Sequence, residues 1–185
     1  ISGSGAGTAF VGGLVGRMGS SGSSLGGSMQ NTYYEGDITT DANPANFGGL
    51  VGYMVPGTWF SNSYYDIENV LINGSHHVTR GGLYTAQYQY WQSNNLTLDI
   101  ADYSSTLPLV NGYYQISGID GLKNLLGFAG ESSYKFRLTA DLDLVNDPGF
   151  FIPNFSASEF DGASHTLSNL TVNQQFNDRV GMFGQ

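Results

Sequence analysis

Apolar positions in this chain come in short bursts separated by glycine and small polar residues, and the bursts recur. Phe10-Val11-Gly12-Gly13-Leu14-Val15-Gly16-Arg17-Met18 returns as Phe47-Gly48-Gly49-Leu50-Val51-Gly52-Tyr53-Met54, and a shorter form stands at Val180-Gly181-Met182-Phe183-Gly184. Gly13 and Gly49 lie 36 residues apart, a spacing in the range of repeat architectures. A second pair of segments, Asn31-Thr32-Tyr33-Tyr34-Glu35 and Asn62-Ser63-Tyr64-Tyr65-Asp66, follows the first two bursts in the same order. Apolar centres as short as Leu14-Val15 and Leu50-Val51 predict short strands. Glycine inside a strand costs about 0.5–1 kcal/mol relative to alanine. A chain with 27 glycines therefore implies turns with positive φ, or layers that approach too closely for a Cβ. One such repeat cannot bury its apolar side alone, and stacking on its neighbour supplies the core. The pattern predicts an all-β fold, a right-handed parallel β-helix (β-solenoid), with Leu14, Leu50 and Met182 on equivalent inward-facing positions.

Helical periodicity is confined to two places. Ile119, Leu122, Leu125, Leu126 and Ala129 share one helical face, and residues 83–91 allow a turn or two. Each short helix is expected to plug an open end of the stack, where bare strand edges invite aggregation. Ser104-Ser105, Pro108 and Asn111-Gly112 mark a connector. The organisation read from the chain is thus a first set of repeats at 1–94, a junction at 95–118, and a second set at 119–185.

The bursts resemble the GLUG motifs of large bacterial adhesins and exoproteins. Residues 113–185 resemble the opening segment of a GLUG array. A short helix over 119–129 is followed by Leu138-Thr139-Ala140-Asp141-Leu142-Asp143-Leu144, then by Phe160-Asp161-Gly162-Ala163-Ser164-His165-Thr166-Leu167-Ser168-Asn169-Leu170, then by Gly181-Met182-Phe183-Gly184. Residues 62–91 resemble the closing segment, in which Ser63-Tyr64-Tyr65-Asp66 leads to Gly82-Leu83-Tyr84-Thr85-Ala86-Gln87. The resemblance implies an extracellular bacterial surface protein and is silent on any activity. The closing segment precedes the opening one, and the order becomes regular if Gln185 of one unit is followed by Ile1 of the next. The chain starts at Ile1 without a signal-peptide pattern. It is therefore expected to be one unit of a tandem array, or of a filament of separate chains stacked end to end.

Composition narrows the partners. Charged residues are scarce, and 15 acidic against 6 basic side chains give a formal charge of −9. An acidic surface repels phosphate backbones and anionic headgroups, so nucleic acid and direct membrane insertion are not expected. No apolar run reaches the roughly 18 residues that span a bilayer. Cysteine is absent, which excludes disulfides and thiolate metal sites. The expected partners are identical units, with surface glycans or host and biofilm proteins as further candidates.

Candidate chemistry is sparse. Gly22-Ser23-Ser24-Leu25-Gly26 matches the nucleophile-elbow spelling, but that motif needs a buried strand before it and a helix behind it. His76 and His77 are adjacent and face opposite ways on a strand, and His165 sits in a turn. Asp141, Asp143 and Asp147 have a loose calcium spacing without a 12-residue loop or closing Glu. Asp161 and Glu159 form a second acidic pair. Tyr84, Tyr88, Tyr90 and Trp91 are the densest aromatic cluster, suited to closing a core or to stacking on a sugar. No catalytic, cofactor or metal residue is assigned, and no cofactor is expected. The reading is a non-enzymatic structural or adhesive module of the bacterial cell surface. The alternative is a carbohydrate-binding or polysaccharide-degrading β-helix protein, which as an enzyme would need an acid–base set along one face.

Overall fold

The computed structural model describes residues 1–3, 9–19, 27–172 and 181–184. It divides into two compact units, the first formed by the described residues within 1–96 and the second by 97–172 with 181–184.

In the first unit the duplicated bursts pair with one another. Strands β1 (Ser2–Gly3), β2 (Val11–Gly12), β3 (Val15–Met18), β4 (Ser28–Gln30) and β5 (Tyr33–Tyr34) lie parallel to β6 (Thr39–Thr40), β7 (Phe47–Gly48), β8 (Val51–Met54), β9 (Trp59–Ser61) and β10 (Tyr64–Asp66). The register joins Val11 to Phe47, Gly12 to Gly48 and Val15 to Val51. Glycine is required at these crossings. A Cβ on Gly49 would sit 2.5 Å from the ring of Tyr65, and one on Gly13 would sit 2.4 Å from the ring of Tyr34. Each burst thus closes over the second tyrosine of the segment that follows it.

The parallel pairing is interrupted after β10. After β10 the chain folds back through Asn73 and Gly74, both at positive φ, into an antiparallel hairpin of β11 (Leu71–Ile72) and β12 (Ser75–His76). Asn-Gly in that conformation matches the twist of a two-residue hairpin. Strand β13 (Gly82–Leu83) returns to lie parallel to β10, and helix α1 (Thr85–Ser93) closes the unit. Helix α1 starts where carboxylates meet its free N–H groups: Thr85 N–H donates to Glu68 Oε2 and Thr85 Oγ1 donates to Asp66 Oδ1. It buries Gln87, Tyr88 and Trp91.

The second unit holds a four-stranded sheet in the order β14 (Leu109–Val110), β15 (Tyr113–Ile116), β16 (Lys135–Leu138), β18 (Glu159–Asp161). Strands β14 and β15 are an antiparallel hairpin turned by Asn111-Gly112, and the rest are parallel. Strand β17 (Leu142–Asp143) pairs parallel with β19 (Leu167–Ser168), and Ile152 bridges Phe183 in parallel. Helix α2 (Ile119–Asn124) runs into a 3-10 turn and buries Leu122, Leu125 and Ala129 beside a core that includes Ile116, Phe136, Leu138, Phe150 and Ile152.

These findings correct the expectation of a right-handed parallel β-helix. Among the described residues the chain forms small sheets of two to four strands, parallel and antiparallel, with two α-helices, a multi-sheet α/β arrangement. A continuous stack needs a parallel strand after each parallel strand, and the two Asn-Gly turns reverse the chain instead. Leu14, Leu50 and Met182 are accordingly not equivalent. Leu50 is fully buried, Leu14 is 43% exposed and Met182 is half-buried. Leu50 is covered by the next layer, where its Cδ1 lies 2.6 Å from the place a Gly81 Cβ would occupy.

Candidate functional site

The most organised polar surface lies on the four-stranded sheet of the second unit. Period-two alternation sends Tyr114, Phe136 and Phe160 to one face in register, and Lys135, Arg137, Glu159 and Asp161 to the other. On that outer face Tyr113 Oη donates to Glu159 Oε1 at 2.9 Å, and Lys135 Nζ meets Glu159 Oε2 at 3.1 Å. Arg137 Nε donates to Asp161 Oδ2 at 2.7 Å, while its guanidinium carbon lies 3.9 Å above the Tyr113 ring. This is a cation stacked on an aromatic face, braced from the far side by a carboxylate.

The pairing fixes the charge states. Tyr113 and Lys135 hold Glu159 below the usual carboxylate range, and the Ala163 N–H followed by Arg137 does the same for Asp161. Lys135 is raised in turn by Glu159. A general acid for glycoside cleavage needs a raised carboxyl, and these two are shifted the other way. Both shifts are depressions, so their stabilisation is complete above the ordinary carboxylate range near 4. It is lost as pH falls through the lower folded values. Arg137→Gln is therefore expected to return the Asp161 pKa towards that range, with a smaller loss of stability on acidification; an NMR titration that leaves Asp161 unmoved would refute the pairing.

Asp141, Asp143 and Asp147 are not brought together. Asp141 Oδ1 accepts from Thr166 N–H at 2.8 Å and lies 3.3 Å from His165 Nδ1, and these contacts lower its pKa in that order. Asp143 Oδ1 accepts from Val145 N–H and Asn169 Nδ2. Asp147 is paired with Lys123 at 2.5 Å. Among the described residues no group of three His, Cys, Asp or Glu side chains is placed to hold a metal.

The histidines are likewise dispersed. His76 Nδ1 lies 3.0 Å from Ile67 O, and His77 packs edge-on against Phe47 with a pKa lowered chiefly by burial. The elbow-like residues 22–26, like Val180 of the third burst, lie outside the described residues.

In the first unit a cavity of about 320 Å³ is lined by Glu35, Gly36, Asp66, Asn69, Val70, Tyr88, Gln89 and Gln92. Its carboxylates are engaged from within. Glu35 Oε1 accepts from Tyr88 Oη at 3.3 Å and Gln92 Nε2 at 2.9 Å. Asp66 is almost fully buried and accepts from Glu68 N–H, Asn69 Nδ2 and Thr85 Oγ1. Burial, then the Glu35 charge, pushes the Tyr88 hydroxyl far above its ordinary range. Trp91, the best stacking platform in the aromatic cluster, has no exposed surface. It packs edge-on against Tyr64, and its Nε1 donates to Asn62 Oδ1 at 2.6 Å. Its ring closes a core and is unavailable to a sugar.

The sequence reading missed Tyr113, Lys135 and Arg137 as partners of Glu159 and Asp161. The alternations Lys-Phe-Arg-Leu and Glu-Phe-Asp carried the signal, because period two puts like-numbered charges on one face. Comparison of the chain with models of known families, with curated proteins and with solved structures finds no match in any of the three.

Proposed function

We propose that this chain is a non-catalytic structural and adhesive module of a bacterial extracellular surface protein, one unit of an array of like units. The observation that carries the reading is self-complementarity. The Phe/Val-Gly-Gly-Leu-Val-Gly burst pairs in parallel and in register with its own repeat, each copy closing over its own tyrosine. A surface that recognises a copy of itself inside one chain is suited to recognising another copy. The resemblance of the bursts and of 138–170 to GLUG arrays points the same way. The engagement of Asp141, Glu159 and Asp161 in ion pairs and N–H contacts supports a scaffold over an acid–base centre.

Sedimentation velocity across a concentration series is the direct test, and progressive association is the expected result. Copies that each carry −9 repel one another, so association strengthens as salt is raised. A single species of 19.8 kDa at every concentration and ionic strength would overturn the array reading.

A further inference from the structure

We infer that the cavity in the first unit binds an amino sugar whose amine is free and protonated. The inference adds a ligand to the adhesive reading and does not depend on association between units. The cavity has a buried floor and an open rim. Asp66, Val70 and Tyr88 are buried, whereas Glu35, Asn69 and Gln89 are exposed. Its volume of about 320 Å³ stands at the lower end of the range for small-molecule sites, about 300–1,000 Å³, and suits one sugar ring.

Charge calls for a cation. A carboxylate withdrawn from water is costly without a positive group beside it. Asp66 is 3% exposed, and among the described residues it is met only by neutral donors, Glu68 N–H, Asn69 Nδ2 and Thr85 Oγ1. Neither Asp66 nor Glu35 has an ion-pair partner among those residues. The ion pairs at Lys123, Lys135, Arg137 and His165 all lie in the second unit. Of the two arginines in the first unit, Arg17 is stacked on Phe10 and Tyr53, and Arg80 reaches Met54 Sδ.

The spare groups of the lining are acceptors. Asn69 Nδ2 donates to Asp66 Oδ2 at 2.6 Å, and Gln92 Nε2 donates to Glu35 Oε1 at 2.9 Å and to Tyr88 Oη at 3.1 Å. Tyr88 keeps its proton, through burial and then the charges of Glu35 and Asp66, and donates it to Glu35 Oε1. These donors are turned onto the carboxylates. Among the described residues Glu35 Oε2 and the amide oxygens of Asn69 and Gln92 remain for an incoming molecule. An ammonium group brings three donors and no acceptor, which suits Glu35. Ring hydroxyls bring further donors for the amide oxygens. A linear amine carries its donors at one end and leaves those oxygens unmet, so the sugar is selected over it.

An amide NMR titration of the full chain with D-glucosamine, at about pH 6 so that the amine is charged, reads the site directly. Shifts are expected at the amides of Glu35, Gly36, Asn69 and Gln92, with an affinity that falls as salt is raised. N-Acetylglucosamine, which has lost the charge, and n-butylamine, which has no hydroxyls, are each expected to bind at least about tenfold more weakly. Glu35→Gln, an isosteric change at an exposed position, is expected to weaken glucosamine binding at least about tenfold while the rest of the spectrum stays that of the parent. Asp120→Asn removes the same charge from an exposed position of the second unit and is expected to bind as the parent does. Absence of shifts at the cavity, equal binding of either analogue, or parent-like binding by Glu35→Gln overturns the inference. Sedimentation reads association between units separately, so the ligand and the array stand or fall on different measurements.

Discussion

Gly52→Ala is expected to destabilise the first unit by at least about 3 kcal/mol, the upper range of overpacking, because nothing near the new methyl group can yield. A Cβ at this position falls 2.5 Å from Val11 N, 2.6 Å from Gly16 O and 2.7 Å from Asn46 O. All three are backbone atoms, two of them in the facing burst, Val11 in β2 and Gly16 in β3. Relief therefore requires separating the duplicated bursts along their length, not a rotamer change. Gly27→Ala, in the same unit, is the control: its Cβ comes closest to the flexible Met18 side chain, at 3.3 Å, and its φ lies outside the left-handed region, so the change stays within about 1 kcal/mol. Both tryptophans, Trp59 and Trp91, belong to the first unit, which makes urea unfolding followed by fluorescence a reading of that unit alone. An unfolding midpoint for Gly52→Ala that matches the parent would show that the bursts do not pack backbone to backbone.

That duplication is the part of the fold most legible in the chain. Matching Gly13 with Gly49 and Tyr34 with Tyr65 anticipated which segments pair and where glycine is indispensable, since both follow from layers in close contact. The two short helices were legible from the same kind of local pattern, in Leu122, Leu125 and Ala129 and in the run ending at Trp91. The extension from two paired layers to an unbroken stack was not warranted. Asn73-Gly74, after Leu71-Ile72, and Asn111-Gly112, between Leu109-Val110 and Tyr113-Tyr114, are strong local signals for an antiparallel hairpin, and the periodicity of the bursts outweighs them. The aromatic cluster was ambiguous for a different reason. Burial of Trp91 depends on Asn62, 29 residues away in sequence, and spacing along the chain carries no trace of that contact. The outer face of Tyr113, Lys135, Arg137, Glu159 and Asp161 needed the register of three strands before its charges could be paired.

Asn62 and Trp91 form the second site where a single change is expected to be severe. Trp91→Ala is expected to cost about 3–5 kcal/mol, the usual range for a buried large aromatic. The ring has no exposed surface and makes edge contacts with Tyr33 and Tyr64. Asn62 ties that ring to three segments at once. Its Oδ1 accepts from Trp91 Nε1 at 2.6 Å, and its Nδ2 donates to Asn31 Oδ1 at 2.7 Å and to Leu96 O at 2.6 Å. Its backbone holds φ at 46°, a conformation asparagine tolerates better than alanine. Asn62→Ala therefore loses both the network and the backbone preference, about 2–4 kcal/mol in all. Asn62→Gly restores only the backbone part and is expected to fall between Asn62→Ala and the parent. Trp91→Phe keeps most of the ring but removes the indole donor, and it leaves Asn62 Oδ1 without that partner. If the Asn62–Trp91 hydrogen bond organises the cluster, Asn62→Ala and Trp91→Phe together cost less than their sum by about 1 kcal/mol. Strict additivity of the two in a double-mutant cycle, read by urea unfolding with Trp59 as the remaining fluorophore, would mean that the tryptophan is held by packing alone.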